Sequence, residues 1–204
     1  MPQNPKPAQN PRKILVILGH PNEGSFNQAI SDAYVHALDG APCEVETLEL
    51  GKADFDPVLR FGYSKRMAGD PFVTRSQELV TWADHLMVVF PVWWSQMPAL
   101  LKGWFYRVCT PGFAYNRNGF RSVKHLAGRT ATVITTAQAP AWWLAVSGNS
   151  LHRLTKRQIL GMCGIKVTGR LAYGMAHSKA DTEERRAVFL DKVRTAARRD
   201  SARR

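Results

Sequence analysis

Three short stretches of the chain hold residue types suited to a charged, planar ligand. The first reads Gly19-His20-Pro21-Asn22-Glu23-Gly24-Ser25-Phe26-Asn27 and joins an apolar run to a helical pattern. Free backbone N–H groups and the helix dipole at such a junction favour a phosphate. Ser25 and Asn27 add side-chain hydrogen bonds, and His20 adds a further donor. A capped turn with no ligand fits the same loop equally well. The second stretch, Pro91-Val92-Trp93-Trp94-Ser95-Gln96-Met97-Pro98, places two tryptophans directly after an apolar run. Large aromatics are seldom put at a turn only to fill a core, because the indole N–H needs a partner. A planar ring system there would use both stacking surface and exposed amides. The competing reading packs one indole inward and lets Trp94 cover a neighbouring subunit. The third stretch, Thr135-Thr136-Ala137-Gln138-Ala139-Pro140-Ala141-Trp142-Trp143, offers small residues whose amides can reach a ring carbonyl or nitrogen. Its alternative is a surface loop whose aromatics bury against the body.

Other chemistries lack their residues. The spacing Gly19-x-x-x-x-Gly24 is followed by Ser25 rather than lysine, which argues against a nucleotide triphosphatase, and no G-x-G-x-x-G is present. The six histidines show no metal-ligand spacing. There is no G-x-S-x-G elbow for a hydrolase and no clear pair of carboxylates for acid–base work. Cys43, Cys109 and Cys163 are too few and too scattered for a disulfide framework, which fits a reducing cytoplasm.

The elements that must position these loops alternate between two periods. Lys13–Leu18 and His85–Phe90 are continuous apolar runs, as buried parallel strands require. Thr130–Thr136 and Ile165–Tyr173 read as two more strands, and Cys43–Leu50 alternates like a strand near the sheet edge. Between them lie helical patterns: one opened by Ser25 with Gln28 as a capping box, one over Thr74–Asp84, and one from Pro98 with Met97, Leu100, Leu101, Trp104, Phe105 and Val108 on one stripe. Leu151, Leu154, Gln158, Ile159 and Met162 mark a further helix that Gly164 caps, and Asp181 with Glu184 opens the last. Five strands with intervening helices predict an α/β, doubly wound parallel sheet. Ligands bind such sheets beyond the carboxyl ends of the strands, where the three loops lie.

The 204 residues suit one domain, and the 45% apolar content is that of a globular chain. Residues 1–12 read as a disordered arm, 13–199 as the domain and 200–204 as a basic tail. No apolar run is long enough for a membrane span, and the N-terminus shows no secretory pattern, so a cytoplasmic protein without membrane insertion is expected. The net charge of +12 is concentrated towards the C-terminus, where it reads as a solvated helix face. No reading motif accompanies it, so nucleic acid is not an expected partner.

The stretch Phe90-Pro91-Val92-Trp93-Trp94-Ser95-Gln96-Met97-Pro98-Ala99-Leu100-Leu101-Lys102-Gly103-Trp104-Phe105-Tyr106-Arg107-Val108, followed by Phe113-Ala114-Tyr115, resembles the F-P-x-x-W-x-x-x-P-A-x-L-K-G-W-F-x-R-V…F-A-Y signature of the NAD(P)H:quinone oxidoreductase family, a group with the flavodoxin-like fold. His20…Ser25-Phe26-Asn27 is similar to that family's phosphate loop, and Thr135-Thr136 to its T-T-G-G segment. The resemblance spans roughly residues 13 to 195.

The resemblance implies a five-stranded flavodoxin-like sheet with helices on both faces and a bound flavin. His20, Ser25, Phe26 and Asn27 would hold the flavin phosphate and ribityl end. Pro91, Val92, Trp93 and Trp94 would border the ring system, largely through backbone atoms, and Thr135, Thr136, Ala137 and Gln138 its pyrimidine side. Phe113 and Tyr115 would line the nicotinamide or quinone pocket, in the family from the partner subunit of a homodimer, with Trp142 on the same pocket. The family's double glycine is Ala137-Gln138 here, and the extra loop of longer members is absent after Asp56, which puts FMN slightly ahead of FAD. The expected activity is transfer of hydride from NAD(P)H through flavin to a quinone-like acceptor, with no side chain as an obligate catalyst and no metal. The alternatives are an ancillary or regulatory flavoprotein subunit of a membrane transport system and a one-electron carrier.

Overall fold

The computed structural model describes residues 10–65, 67–118, 121–146 and 151–203. In chain order these form β1 (Arg12–Leu18), α1 (Phe26–His36), β2 (Cys43–Glu49), a 3-10 turn (Leu50–Lys52), α2 (Pro71–Trp82), β3 (His85–Pro91), α3 (Ala99–Val108), the hairpin β4 (Tyr115–Asn118) and β5 (Arg121–Lys124), then β6 (Thr130–Thr136) and α4 (Ala141–Val146). There follow α5 (Leu151–Leu154), a π-helical turn (Thr155–Leu160), α6 (Gly161–Cys163), β7 (Lys166–Tyr173) and α7 (Glu183–Ala202).

β2, β1, β3, β6 and β7 pair in that order, all parallel, and the order reverses between β1 and β3. Alternation along the strands divides the core into two layers. Leu15, Ile17, Leu86, Val88 and Phe90 face α2, α3 and the 151–163 helical segment, whereas Ile14, Val16, Leu18, Met87 and Val89 face α1 and α7. A strand buried on both faces needs apolar residues at every position, which is why β1 and β3 read as unbroken runs. This is the flavodoxin-like fold, α/β with helices on both sides of five parallel strands.

Several element ends differ from those expected. β1 begins at Arg12, within the expected arm; residues 1–9 of that arm lie outside the described residues. α2 begins at Pro71 rather than Thr74, because Asp70 accepts the Phe72 and Val73 N–H groups and Pro71 needs no donor there. α7 is capped by Thr182, one residue past the expected Asp181, whose carboxylate instead holds Tyr173 and Arg186. α7 also continues through the expected tail boundary to Ala202 and buries Asp200 completely. The stripe expected over residues 151–162 turns away midway. The π turn adds a residue per turn, so Leu160 and Cys163 face the core and Met162 does not. Gly164 ends this segment at φ 98°, as expected of a left-handed cap. The β4–β5 hairpin was not foreseen: its four-residue strands are too short to show alternation.

Candidate functional site

A cleft of about 900 Å³ opens at the carboxyl ends of β1, β3 and β6, where the strand order reverses. Its first wall is the loop into α1. Gly24, at φ 70°, turns the chain so that Ser25 caps the helix, its Oγ accepting the Gln28 N–H at 3.2 Å. Gln28 does not complete the reciprocal box; its side chain donates to Asp32. The remaining first-turn amides, those of Phe26 and Asn27, have no acceptor within the helix. The Asn27 side chain is buried and donates to Thr136 Oγ1 at 3.0 Å, so it braces the first wall against the end of β6. His20 Nδ1 lies 3.0 Å from the Asn22 nitrogen and 3.1 Å from its carbonyl oxygen, so Asn22 holds the ring in either tautomer. Burial lowers the His20 pKa, and its ring meets Trp93 edge to face at 5.5 Å.

The second wall is the turn after β3. Trp93 and Gln96 exchange two backbone hydrogen bonds of 2.9 Å, with Trp94 and Ser95 both left-handed at φ 49° and 59°. Two positive-φ residues make a tight turn that usually selects Asn-Gly, so Trp94-Ser95 there is unusual. The Val92 N–H donates to Thr136 O, so the amides of Val92 and Trp93, expected to border a ring, already have partners. Those of Trp94 and Ser95 have none among the described residues.

The third wall is formed by Thr136, Ala137, Gln138, Ala139 and Trp143. The Ala137 N–H is taken by Tyr173 O, while that of Gln138 has no acceptor among the described residues. This loop runs close against the end of β7: a Cβ on Gly174 would come within 2.2 Å of the Ala141 nitrogen. Sequence reasoning missed the fourth wall, Ala176, His177 and Arg186 from β7 to α7. Arg186 forms a two-pronged pair with Asp181 at 2.9 and 2.8 Å and lies 4.9 Å over the Phe26 ring. That pairing holds the Asp181 carboxyl well below the usual range. Only the second of two adjacent arginines near a helix start marks it in the sequence, with nothing to tell it from Arg185 beside it.

His20, Ser25, Phe26, Asn27, Pro91, Val92, Trp93, Trp94, Thr136, Ala137 and Gln138 therefore meet in one cleft, and four expected residues do not. Thr135 is buried beneath the floor, its Oγ1 3.2 Å from His152 Nε2, because alternation turns it away from Thr136. Trp142 lines a separate groove of about 540 Å³ with Tyr173 and Val188, and Trp143 takes the cleft side of α4. Phe113 borders a cavity of about 520 Å³ with Tyr63 and Arg107, and Tyr115 packs into the core of its own chain. No described helix is long and apolar enough to cross a membrane.

The architecture and the sequence agree with known proteins. Residues 12–196 match the family model described as flavodoxin-like fold. The chain is 30% identical to NAD(P)H dehydrogenase [quinone] 1 of Cavia porcellus over 83% of this chain and 71% of that protein. It superposes on Smu.1420 from Streptococcus mutans with a TM-score of 0.80 at 34% identity, covering 92% and 99% of the two chains. For the NAD(P)H:quinone oxidoreductase of Methanothermobacter marburgensis the TM-score is 0.76 at 25% identity, covering 95% and 99%. The chain belongs to the flavodoxin-like-fold family that includes the NAD(P)H dehydrogenases [quinone].

Proposed function

We propose that this protein is a flavin-dependent NAD(P)H:quinone oxidoreductase that passes two electrons from a nicotinamide to a quinone-like acceptor. The observation that carries the reading is the make-up of the cleft lining, which joins a helix N-terminus, Ser25 and the Arg186 guanidinium with Pro91, Val92 and three indoles. A phosphate-bearing ring cofactor calls for both kinds of group, and about 900 Å³ accommodates it with Ala137 in place. FMN fits the donor set without further contacts and is preferred to FAD.

A bound flavin would supply hydride acceptance and release. Each wall has its task. The amides of Phe26 and Asn27, the His20 ring and Arg186 would hold the phosphate. The Trp94, Ser95 and Gln138 N–H groups, which have no acceptor among the described residues, would donate to ring atoms that gain negative charge on reduction. Pro91, Val92 and Ala137 keep water from the ring. Donor and acceptor use one open face in turn. In a homodimer Phe113 would be the residue offered to the partner's cleft, Tyr115 being committed to the core of its own chain. A cytoplasmic location fits the three free thiols.

The test is the visible spectrum of the purified protein before and after anaerobic NAD(P)H. A flavin spectrum that bleaches, and returns on adding quinone, is the expected outcome; chromatography of the released cofactor separates FMN from FAD. A protein that takes up neither flavin sinks this reading and favours an ancillary subunit without turnover. Light scattering at twice the 22.9 kDa chain mass is expected for the homodimer.

A further inference from the structure

We propose that the cleft selects acceptors with two or more fused aromatic rings, and that Trp143 is the residue that sets this preference. The proposal rests on the oxidoreductase reading above and names its substrate class. Two of the six tryptophans are structural: Trp104 is fully buried with its Nε1 donating to Ser76, and Trp82 packs against the core. The other four gather at the cleft. Trp93, Trp94 and Trp143 line it with 45%, 99% and 52% of their surface exposed, and Trp142, 64% exposed, lies behind Trp143. Scattered single exposed apolar side chains need no explanation, but a cluster at the mouth of a cleft marks a binding surface.

Two of these indoles are braced by a neighbouring ring. Trp93 meets His20 edge to face. Trp143 meets Trp142 at 5.7 Å and 87°, and its backbone N–H donates to Pro140 O at 3.0 Å. Edge contacts of this kind fix a ring without covering both its faces. Trp94 stands on the turn closed by the paired Trp93–Gln96 hydrogen bonds. Trp143 and the Trp93–Trp94 turn come from different walls, after β6 and after β3. A one-ring quinone is smaller than a single indole and has face for one of them, whereas a fused-ring system has face for two.

The test uses flavin-loaded protein without NAD(P)H and calorimetric titration with sulfonated benzoquinone, naphthoquinone and anthraquinone, which share a charge and differ in ring count. Affinity is expected to rise roughly tenfold or more from one ring to three. Trp143→Ala should remove most of that rise, weakening three-ring binding by a larger factor than one-ring binding, and Trp143→Phe should restore much of it. The half-exposed position makes folding of these variants expected, and circular dichroism checks it. Equal affinity for all three probes, or an equal loss at every ring count in Trp143→Ala, overturns the proposal. Turnover of NAD(P)H is followed separately. If no acceptor is reduced while the ring-count dependence persists, the oxidoreductase reading fails and the aromatic selectivity stands.

Discussion

β6 carries threonines at both ends, and the two ends differ in what surrounds them. At the amino end, Thr130 Oγ1 accepts from Arg12 at 2.9 Å and lies 2.7 Å from His85 Nδ1, while Thr132 donates to Asp200 at 2.6 Å. Tyr34 donates to the same carboxylate at 3.1 Å, Arg199 pairs with it at 2.9 Å, and His85 Nε2 lies 3.2 Å away. At the carboxyl end, the Thr136 hydroxyl meets Asn27 and then the cleft. At one end the polar groups gather round Asp200 and fasten α7 to the sheet, with Arg12 Nε and Nη1 buried there without a partner among the described residues. The other leaves backbone donors at the mouth of the cleft without partners among the described residues. Parallel strands with right-handed crossovers bring helix N-termini to the carboxyl edge, so the unsatisfied donors collect there. Stability and ligand recognition are thereby assigned to opposite edges of one sheet.

Substitutions at the two ends should consequently separate stability from cofactor affinity. The largest effect is expected at Asp200. Asp200→Asn removes the fully buried carboxylate that accepts from Tyr34 and Thr132 and pairs with Arg199, and should cost about 3–5 kcal/mol in urea unfolding; a loss below about 1 kcal/mol would show that the network does not hold α7. Burial pushes the Asp200 carboxyl up, but His85, Thr132 and Arg199 outweigh it and bring it down to about 2. Its contribution is therefore complete above the unfolded value near 4 and lost as pH falls towards 2.

His152 sharpens the boundary between the two ends, since it lies directly beneath the cleft floor. Burial, then the Arg170 charge, lowers its pKa from 6.5 to about 4. The unfolded chain binds the proton more readily, so stability is complete above pH 6.5 and declines as pH falls to 4, by on the order of 3 kcal/mol. Unfolding of His152→Gln across that window should show this slope flattened; an unchanged slope would assign it to other groups. The smallest effect on the fold, and the one confined to the cleft, is expected for Arg186→Ala. Flavin affinity by fluorescence titration should fall roughly tenfold to a hundredfold. Tyr173 and the His177 N–H still hold Asp181, so stability should change by less than about 1 kcal/mol. A larger loss of stability than of affinity would erase the contrast between the ends.

The sequence by itself determined the five strands, because burial on both faces demands unbroken apolar runs in β1 and β3, and the Ser25 cap, because capping is a local hydrogen bond. It also determined three walls of the cleft, since each is a loop directly following a strand. Only the tertiary structure decided the rest. Arg186 reaches the cleft because α7 crosses beside α1, and no local pattern separates it from Arg185, which turns to Gly174 O. Trp143 rather than Trp142 enters the cleft because α4 sets which of two adjacent residues faces inward, and a six-residue helix has too little periodicity to show its direction. Thr135 and Thr136 part for a similar reason, the two faces of a strand being indistinguishable when both are buried. Asp200 belongs to the core because its partners lie on β3, β6 and α1, and contacts across so many residues leave no trace in spacing along the chain.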